Sequence, residues 1–164
     1  MSAKKSFDCM DFHTMPGHLI RRAQQISVAI FMDECAKQNI TPVQFACLSE
    51  ISTNPGVDAT RLASLIAFDR STLGTALERM EKKGWVARMA SAEDRRTKLL
   101  YITNSGKKLL AEIQPGVVRT QKRILEPLSQ TERIIFMRLI GKLVELNNEE
   151  SRAPMGSRKD DTAA

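Results

Sequence analysis

The fold is decided by residues 69–106, which read DRSTLGTALERMEKKGWVARMASAEDRRTKLLYITNSG. The stretch begins with Asp69, a residue type that often caps helices, and apolar side chains follow at helical spacing. Gly84 is placed to end that helix in a left-handed conformation. Runs rich in β-branched and aromatic residues follow at 85–90 and 98–103. The sequence therefore predicts a helix followed by a β-hairpin.

The connection between the two predicted strands, residues 91–97, is longer than a tight hairpin turn and strongly charged. Residues 70–98 hold eight basic and four acidic side chains, so most of the chain's net charge of +6 lies in this segment. A solvated hairpin tip is one interpretation. A projecting wing that contacts a polyanion is the other, and the neighbouring elements favour it.

A second short helix is predicted just upstream, at residues 59–68, with Asp58 as its cap. Two short capped helices joined by a brief turn are typical of a helix-turn-helix. Before them, Thr41 and Gln44 form a capping box for another helix.

The flanking segments predict a helical frame. Residues 16–38 read as one long helix, and Thr103 caps a second that Pro115 and Gly116 should kink or break. Ser129 and Glu132 form a capping box for a last helix whose apolar residues cover more than one face. A second copy of the chain would cover these faces.

The predicted fold class is mainly α with a small β-hairpin wing: a winged helix-turn-helix domain plus a helical dimerisation region. Residues 41–103 form the DNA-binding domain, and 16–40 together with 104–150 form the dimerisation region. Residues 1–15 are an N-terminal arm and residues 151–164 a disordered tail.

Candidate DNA contacts follow from this arrangement. Hydroxyl groups early in a recognition helix can bond phosphate or base, and arginines at a wing tip suit the minor groove. We expect Asp94 to hold a neighbouring arginine in one rotamer by a charge-assisted hydrogen bond. The predicted contact residues are Arg70, Ser71, Thr72, Thr75, Arg79, Arg88, Asp94, Arg95, Arg96 and Lys98.

Composition argues against several other classes of protein. No apolar run approaches the ~20 residues that span a bilayer, and the first residues do not read as a signal peptide, so we expect a cytoplasmic protein with no membrane partner. Three cysteines do not make a disulfide framework. No acid, base and nucleophile converge, so we expect neither an enzyme nor a cofactor.

Residues 41–51 (TPVQFACLSEI), 69–88 and 94–110 resemble the MarR family of winged helix-turn-helix regulators, and the resemblance runs from about residue 16 to 148. It implies a homodimer that binds palindromic promoter DNA, usually as a repressor. It also implies that Arg96 enters the minor groove and that Asp94 orients it. Many relatives have Thr-Arg where this chain has Gly74 and Thr75, so their operator preference does not transfer.

The family also implies an effector pocket between the frame and the winged domain, often with an arginine from the first helix. Arg22 lies ~60° from the apolar face of that helix, whereas Arg21 points nearly opposite. A cation there needs a partner, which is either an anionic ligand or an acid of the partner chain. His13 and His18 could bond a ring substituent. This stretch resembles the subgroup that senses aromatic carboxylates, such as hydroxylated nicotinate.

Three alternatives stay open. A metal sensor could use Asp8, Cys9, Asp11, His13 and His18, although their spacing matches no tight zinc pattern. A redox sensor could use Cys9, since Cys35 and Cys47 lie among apolar residues and read as core thiols. A dimer module that does not bind DNA would lack the steep salt dependence of phosphate contacts.

Overall fold

The computed structural model describes residues 11–94 and 96–156. Within these ranges the chain forms six α-helices and three short strands. In chain order they are α1 (Pro16–Glu34), α2 (Pro42–Thr53), β1 (Val57–Asp58), α3 (Ala59–Leu65), α4 (Arg70–Lys82), β2 (Val86–Ala90), β3 (Lys98–Ile102), α5 (Asn104–Leu125) and α6 (Gln130–Leu146). The predicted fold class, mainly α with a hairpin wing, is confirmed.

Local capping explains where the helices begin. Thr41 and Gln44 bond reciprocally at the start of α2, and Ser129 and Glu132 do so at the start of α6. The remaining predicted caps are also confirmed: Asp58 for α3, Asp69 for α4 and Thr103 for α5. Gly84 follows α4 with a φ of 71°, the left-handed conformation predicted for it.

The sheet has the strand order β1-β3-β2. The hairpin of β2 and β3 is antiparallel, with Val86 opposite Ile102 and Ala90 opposite Lys98. The two-residue strand β1 pairs with the other edge of β3 and was not predicted. Two residues are too few to show an alternating pattern, so only the pairing itself defines this strand.

The hydrophobic core lies beneath the helix-turn-helix. It joins the inner faces of α2, α3 and α4 to the sheet and to α5, with Leu48, Leu62, Leu77, Leu100 and Ile113 almost completely buried. Cys35 and Cys47 are buried as well, at 1% and 0% exposure, so their prediction as core thiols is confirmed.

Predicted helix limits were wrong at three places. Helix α3 ends at Leu65 rather than at residue 68, because Ala67 adopts a left-handed φ of 51°. Helix α1 ends at Glu34, and a separate 3-10 turn, Ala36–Gln38, takes the place of its predicted last turn. Helix α5 is not broken at Pro115 but continues to Leu125. At Gly116 α5 packs so closely on α1 that a β-carbon would lie 2.8 Å from the carbonyl oxygen of Glu34. This packing holds α5 together although Pro115 lacks an amide donor.

The first residues of the predicted disordered tail are placed by hydrogen bonds. The amide of Met155 donates to Asn148 Oδ1 over 2.8 Å, and the amide of Gly156 donates to the carbonyl oxygen of Ser64 over 2.9 Å. Residues 148–156 thus return from the end of α6 to α3. Residues 157–164 and 1–10 lie outside the described residues.

Helix α6 buries none of its residues within one chain. Its apolar side chains stay strongly exposed, among them Ile134 at 63%, Val144 at 60% and Leu146 at 72%. In the described ranges, no helix combines the length and the apolar character that crossing a membrane requires.

Candidate nucleic-acid interface and effector site

Helix α4 is amphipathic, with one face in the core and the other in solvent. Leu73, Leu77 and Met80 are buried, while Glu78 and the predicted contact residues of the helix are exposed. Those contact residues are Arg70, Ser71, Thr72, Thr75 and Arg79. The solvent face therefore presents hydroxyl groups at its beginning and a guanidinium two turns later.

Asp69 organises the first turn of α4. Its Oδ1 accepts from the Ser71 hydroxyl over 2.6 Å and from the Thr72 amide over 2.9 Å, and its Oδ2 accepts from the Thr72 hydroxyl over 2.8 Å. These bonds hold the pKa of Asp69 well below its usual range, and the bond from the Ser71 hydroxyl has the largest effect. The hydroxyl of Thr75 is held only loosely, 3.5 Å from the carbonyl oxygen of Ser71.

Arg88, on β2, contacts the last turn of α4. Its Nε lies 3.2 Å from Glu81 Oε2 in a half-exposed ion pair, although the two groups are not aligned as a hydrogen bond. The pair ties the wing to the end of α4. A DNA contact by Arg88 would have to compete with it.

The wing tip is shaped by Asp94, but not in the way predicted. Its carboxylate accepts from the backbone amide of Arg96 over 2.9 Å and from the hydroxyl of Thr97 over 3.1 Å. Among the described residues it forms no bond with the guanidinium of Arg96, the arginine that the family resemblance assigned to it. The other neighbouring arginine, Arg95, lies outside the described residues, so the role of Asp94 toward it stays a prediction. A short carboxylate beside a turn reaches the nearest amide before any long side chain.

The cations of the wing extend into solvent. The side chains of Arg96 and Lys98 are exposed on either side of Thr97. Arg95, the other predicted tip cation, lies outside the described residues. In the described part of the wing tip, two exposed positive charges are therefore present, at Arg96 and Lys98.

The predicted effector residues cluster at the start of α1. The ring of His18 lies 4.4 Å from that of Phe12 and 5.5 Å from that of His13. His18 Nε2 is shielded from solvent and has no hydrogen-bond partner among the described residues. Its Nδ1 lies 3.5 Å from Arg21, which also donates to Gln25. Arg22 is exposed and makes no hydrogen bond or ion pair within the described ranges.

An apolar groove of about 1120 Å³ lies between α6, the end of α3 and residues 148–156. Leu65, Leu143, Val144 and Met155 contribute to its walls. None of the four predicted effector residues lines it. The structure of one chain thus leaves the effector residues and this groove apart.

The ion pairs that join α1 to α5 were not predicted. Arg119 Nε lies 2.6 Å from Glu34, and Arg123 Nη1 lies 2.5 Å from Asp33 and 2.7 Å from Glu34. Hydrogen bonds from Arg119 and then Arg123 lower the pKa of Glu34. The only sequence signal is the four-residue spacing of the two arginines, which places them on one face of α5.

The structure bears on two of the alternatives, the redox sensor and the metal sensor. Burial raises the pKa of the Cys35 thiol, and raises that of Cys47 to about 12. In the part of the chain that the structure describes, no three His, Cys, Asp or Glu side chains are grouped to hold a metal ion. Asp8 and Cys9 lie outside that part.

Comparisons with known proteins agree with this architecture. The sequence profile of the MarR family matches residues 40–98. HosA, a transcriptional regulator of Escherichia coli O127:H6 (strain E2348/69 / EPEC), is 30% identical over 127 residues, which are 77% of this chain and 93% of HosA.

Two solved structures share the fold closely. BpsR of Bordetella bronchiseptica, whose DNA binding is regulated by 6-hydroxynicotinic acid, superposes with a TM-score of 0.78 at 26% identity, over 84% of this chain and 98% of that one. The repressor CouR, bound to a 23-mer DNA duplex, gives 0.74 at 26% identity, over 83% of this chain and 99% of CouR.

Proposed function

The chain belongs to the MarR family of transcriptional regulators, and from this premise we propose that it is a homodimeric repressor of a catabolic or related operon. It binds a pseudo-palindromic operator and is released by a small aromatic carboxylate such as a hydroxynicotinate. The observation that carries the DNA-binding part is the solvent face of α4, where hydroxyls and arginines lie beside an exposed basic wing.

The charges of this surface fit a DNA duplex. A helix in the major groove reads base edges while neighbouring cations neutralise phosphates. Arg70 and Arg79 flank the hydroxyl groups of α4, and Arg96 and Lys98 extend from the wing toward an adjacent minor groove. In a two-fold dimer, the two α4 helices would lie roughly 34 Å apart, one turn of B-DNA.

The exposed apolar side chains of α6 support the homodimer. Helix α6 buries no side chain within its own chain, and a helix in a protein gains most of its stability from packing its apolar face against a partner. A second copy of α1, α5 and α6 would bury this surface. The dimer would also fix the spacing of the two recognition helices.

The start of α1 supports the effector. A shielded His18 Nε2 without a partner among the described residues, the exposed guanidinium of Arg22 and the ring of Phe12 offer three complementary contacts. An aromatic carboxylate would place its anion on Arg22, its ring against Phe12 and a ring hydroxyl on His18. His13 and Arg21 lie beside this group. BpsR, which responds to such an acid, shares the fold.

Release follows from differential affinity. A ligand that binds more tightly when the winged domains are too far apart or too close for the operator shifts the population toward that state.

The cysteine-based alternative rests on Cys9, because Cys35 and Cys47 are buried and their thiol pKa values are raised.

Fluorescence anisotropy on the chain's own upstream promoter tests this function. The titration is run at several salt concentrations, then with benzoate, nicotinate and 6-hydroxynicotinate, and then with hydrogen peroxide. We expect tight, salt-steep binding that one of the acids abolishes and peroxide does not. Release by peroxide in the wild type but not in Cys9→Ser would replace the effector proposal with the redox alternative.

A further inference from the structure

We propose that Asp69 determines base preference by fixing the hydroxyl groups of Ser71 and Thr72 as hydrogen-bond acceptors. The inference rests on the DNA-binding function proposed above and specifies how α4 would read bases. It concerns the direction of hydrogen bonds, which decides which base edges the first turn of the helix accepts.

The geometry commits both hydroxyl protons to one carboxylate. Ser71 donates to Oδ1 over 2.6 Å, and Thr72 donates to Oδ2 over 2.8 Å. Both are short, charge-assisted bonds, which are stronger than bonds between neutral groups. An ionised carboxylate only accepts, so the direction of these two bonds is unambiguous.

A hydroxyl that has donated its proton can only accept from a second partner. Each hydroxyl has one proton and two lone pairs, and Ser71 and Thr72 both lie on the exposed face of α4. Their oxygens therefore present lone pairs outward. They cannot donate to a phosphate without breaking the bond to Asp69. The hydroxyl of Thr75, 3.5 Å from its backbone acceptor, has no such commitment.

In the major groove, outward lone pairs select amino groups. Adenine N6 and cytosine N4 are donors there, whereas guanine N7 and O6 and thymine O4 are acceptors. We therefore expect Ser71 and Thr72 to favour a base that carries an amino group in the major groove. Guanine or thymine would place two acceptors opposite each other.

The charge of Asp69 is compatible with a nearby duplex because cations surround it. Arg70 follows it directly, and Arg152 of the C-terminal segment shares a cleft with it and exerts a favourable electrostatic effect on the ionised carboxylate. The carboxylate can therefore stay ionised close to phosphates.

Asp69→Asn tests the inference because it changes one acceptor oxygen into a donor. The amide oxygen can still cap the Thr72 amide, but the amide nitrogen obliges the Thr72 hydroxyl to accept and frees its proton to donate outward. Wild type and variant would each select binding sites from a randomised duplex library. We expect a wild-type preference for adenine or cytosine at one position of each half-site. In the variant this preference should move toward guanine or thymine by about tenfold.

Asp58→Asn is the matched control. Asp58 caps α3 through the backbone amides of Thr60 and Arg61 and orients no hydroxyl among the described residues. Asp58→Asn removes the same negative charge as Asp69→Asn, and we expect it to keep the wild-type base preference. A preference that moves equally in both variants would overturn the inference, since a loss of charge alone would explain it.

Thr72→Val covers the case in which Asp69→Asn does not fold. Valine keeps the shape of threonine and removes the hydroxyl, so the preference at one position should disappear. An unchanged preference in Asp69→Asn or in Thr72→Val would show that Asp69 is a helix cap only. A wild type that selects no duplex would overturn the proposed function together with the inference.

Discussion

The backbone amide of Arg96 donates a 2.9 Å hydrogen bond to the carboxylate of Asp94, while the side chain of Arg96 extends into solvent. Among the described residues, the acid therefore shapes the backbone of the wing tip and does not bind the guanidinium of Arg96. This leaves the cation of Arg96 without a described partner that DNA would have to displace.

Arg96→Ala should weaken operator binding by about tenfold, equivalent to ~1.4 kcal/mol. The variant lacks the contacts that the Arg96 guanidinium would make with phosphates and base edges in the minor groove. The salt dependence should also become shallower, by about one phosphate contact. Anisotropy titrations at several salt concentrations would measure both, and light scattering would confirm that the oligomeric state is unchanged.

Lys37→Ala is the control for Arg96→Ala. It removes one positive charge from an exposed position in the 3-10 turn between α1 and α2, which belongs neither to α4 nor to the wing. Its operator affinity should match that of the wild type. Equal affinities for Arg96→Ala and the wild type would contradict the assignment of the wing.

Arg22→Ala should blunt the effector response while DNA binding is largely kept, since Arg22 would pair the ligand carboxylate and lies far in sequence from α4. The concentration of acid that releases half of the operator should rise by about tenfold or more, because bidentate recognition is lost. Arg22→Lys keeps the charge but not the planar guanidinium. Its half-releasing concentration of acid should lie between those of the wild type and Arg22→Ala. A normal response in Arg22→Ala would move the pocket elsewhere, and the apolar groove beside α6 is the next place to test.

Gly106→Ala should lower the free energy of unfolding by about 1–3 kcal/mol. A β-carbon there would overlap the carbonyl oxygen of Trp85 and lie 2.8 Å from a side-chain carbon of Ile102. Chemical denaturation of the protein without DNA measures the change.

Gly74→Ala is the matched substitution for that experiment. A β-carbon added at Gly74, inside α4, would meet no atom within 4 Å, so the same change should raise stability by about 0.5–1 kcal/mol. If Gly106→Ala were as stable as Gly74→Ala, that result would contradict the close contact of α5 with Trp85 and Ile102.

Glu34→Gln should reduce the loss of stability at acidic pH. The arginines of α5 lower the pKa of Glu34, so its stabilising effect is complete above the ordinary value of 4.5 and is lost as pH falls through the lowered pKa. Melting temperatures of variant and wild type should therefore converge as pH drops below about 4.5. Glu112→Gln, in an exposed 3.9 Å pair with Lys108, should behave as the wild type at each pH. A constant difference for Glu34→Gln across the acidic range would contradict this ion-pair role.

Features encoded by neighbouring residues could be predicted from the sequence. Asp58, Asp69 and Thr103 begin helices through amides two or three residues away, so their residue types and spacing were sufficient. The hairpin could also be predicted, because its two strands are separated along the chain only by the short charged connection.

Features that depend on distant contacts could not be predicted. Strand β1 exists only through its pairing with β3, some forty residues later, and Glu34 meets Arg119 only after the frame helices have packed. Likewise, only the path of the backbone at the wing tip brings the Arg96 amide and the Thr97 hydroxyl to the carboxylate of Asp94. The return of residues 148–156 to α3 likewise depends on Ser64, far away in sequence.

The most direct test of the central claim is the salt-dependent binding of the wild type to its own upstream promoter, with a scrambled duplex as the control. The account predicts binding that is much tighter to the promoter, falls steeply with salt, and is abolished by a hydroxynicotinate or a related aromatic acid. Equal and weak binding to both duplexes would contradict it and would make the charged wing a solvated hairpin.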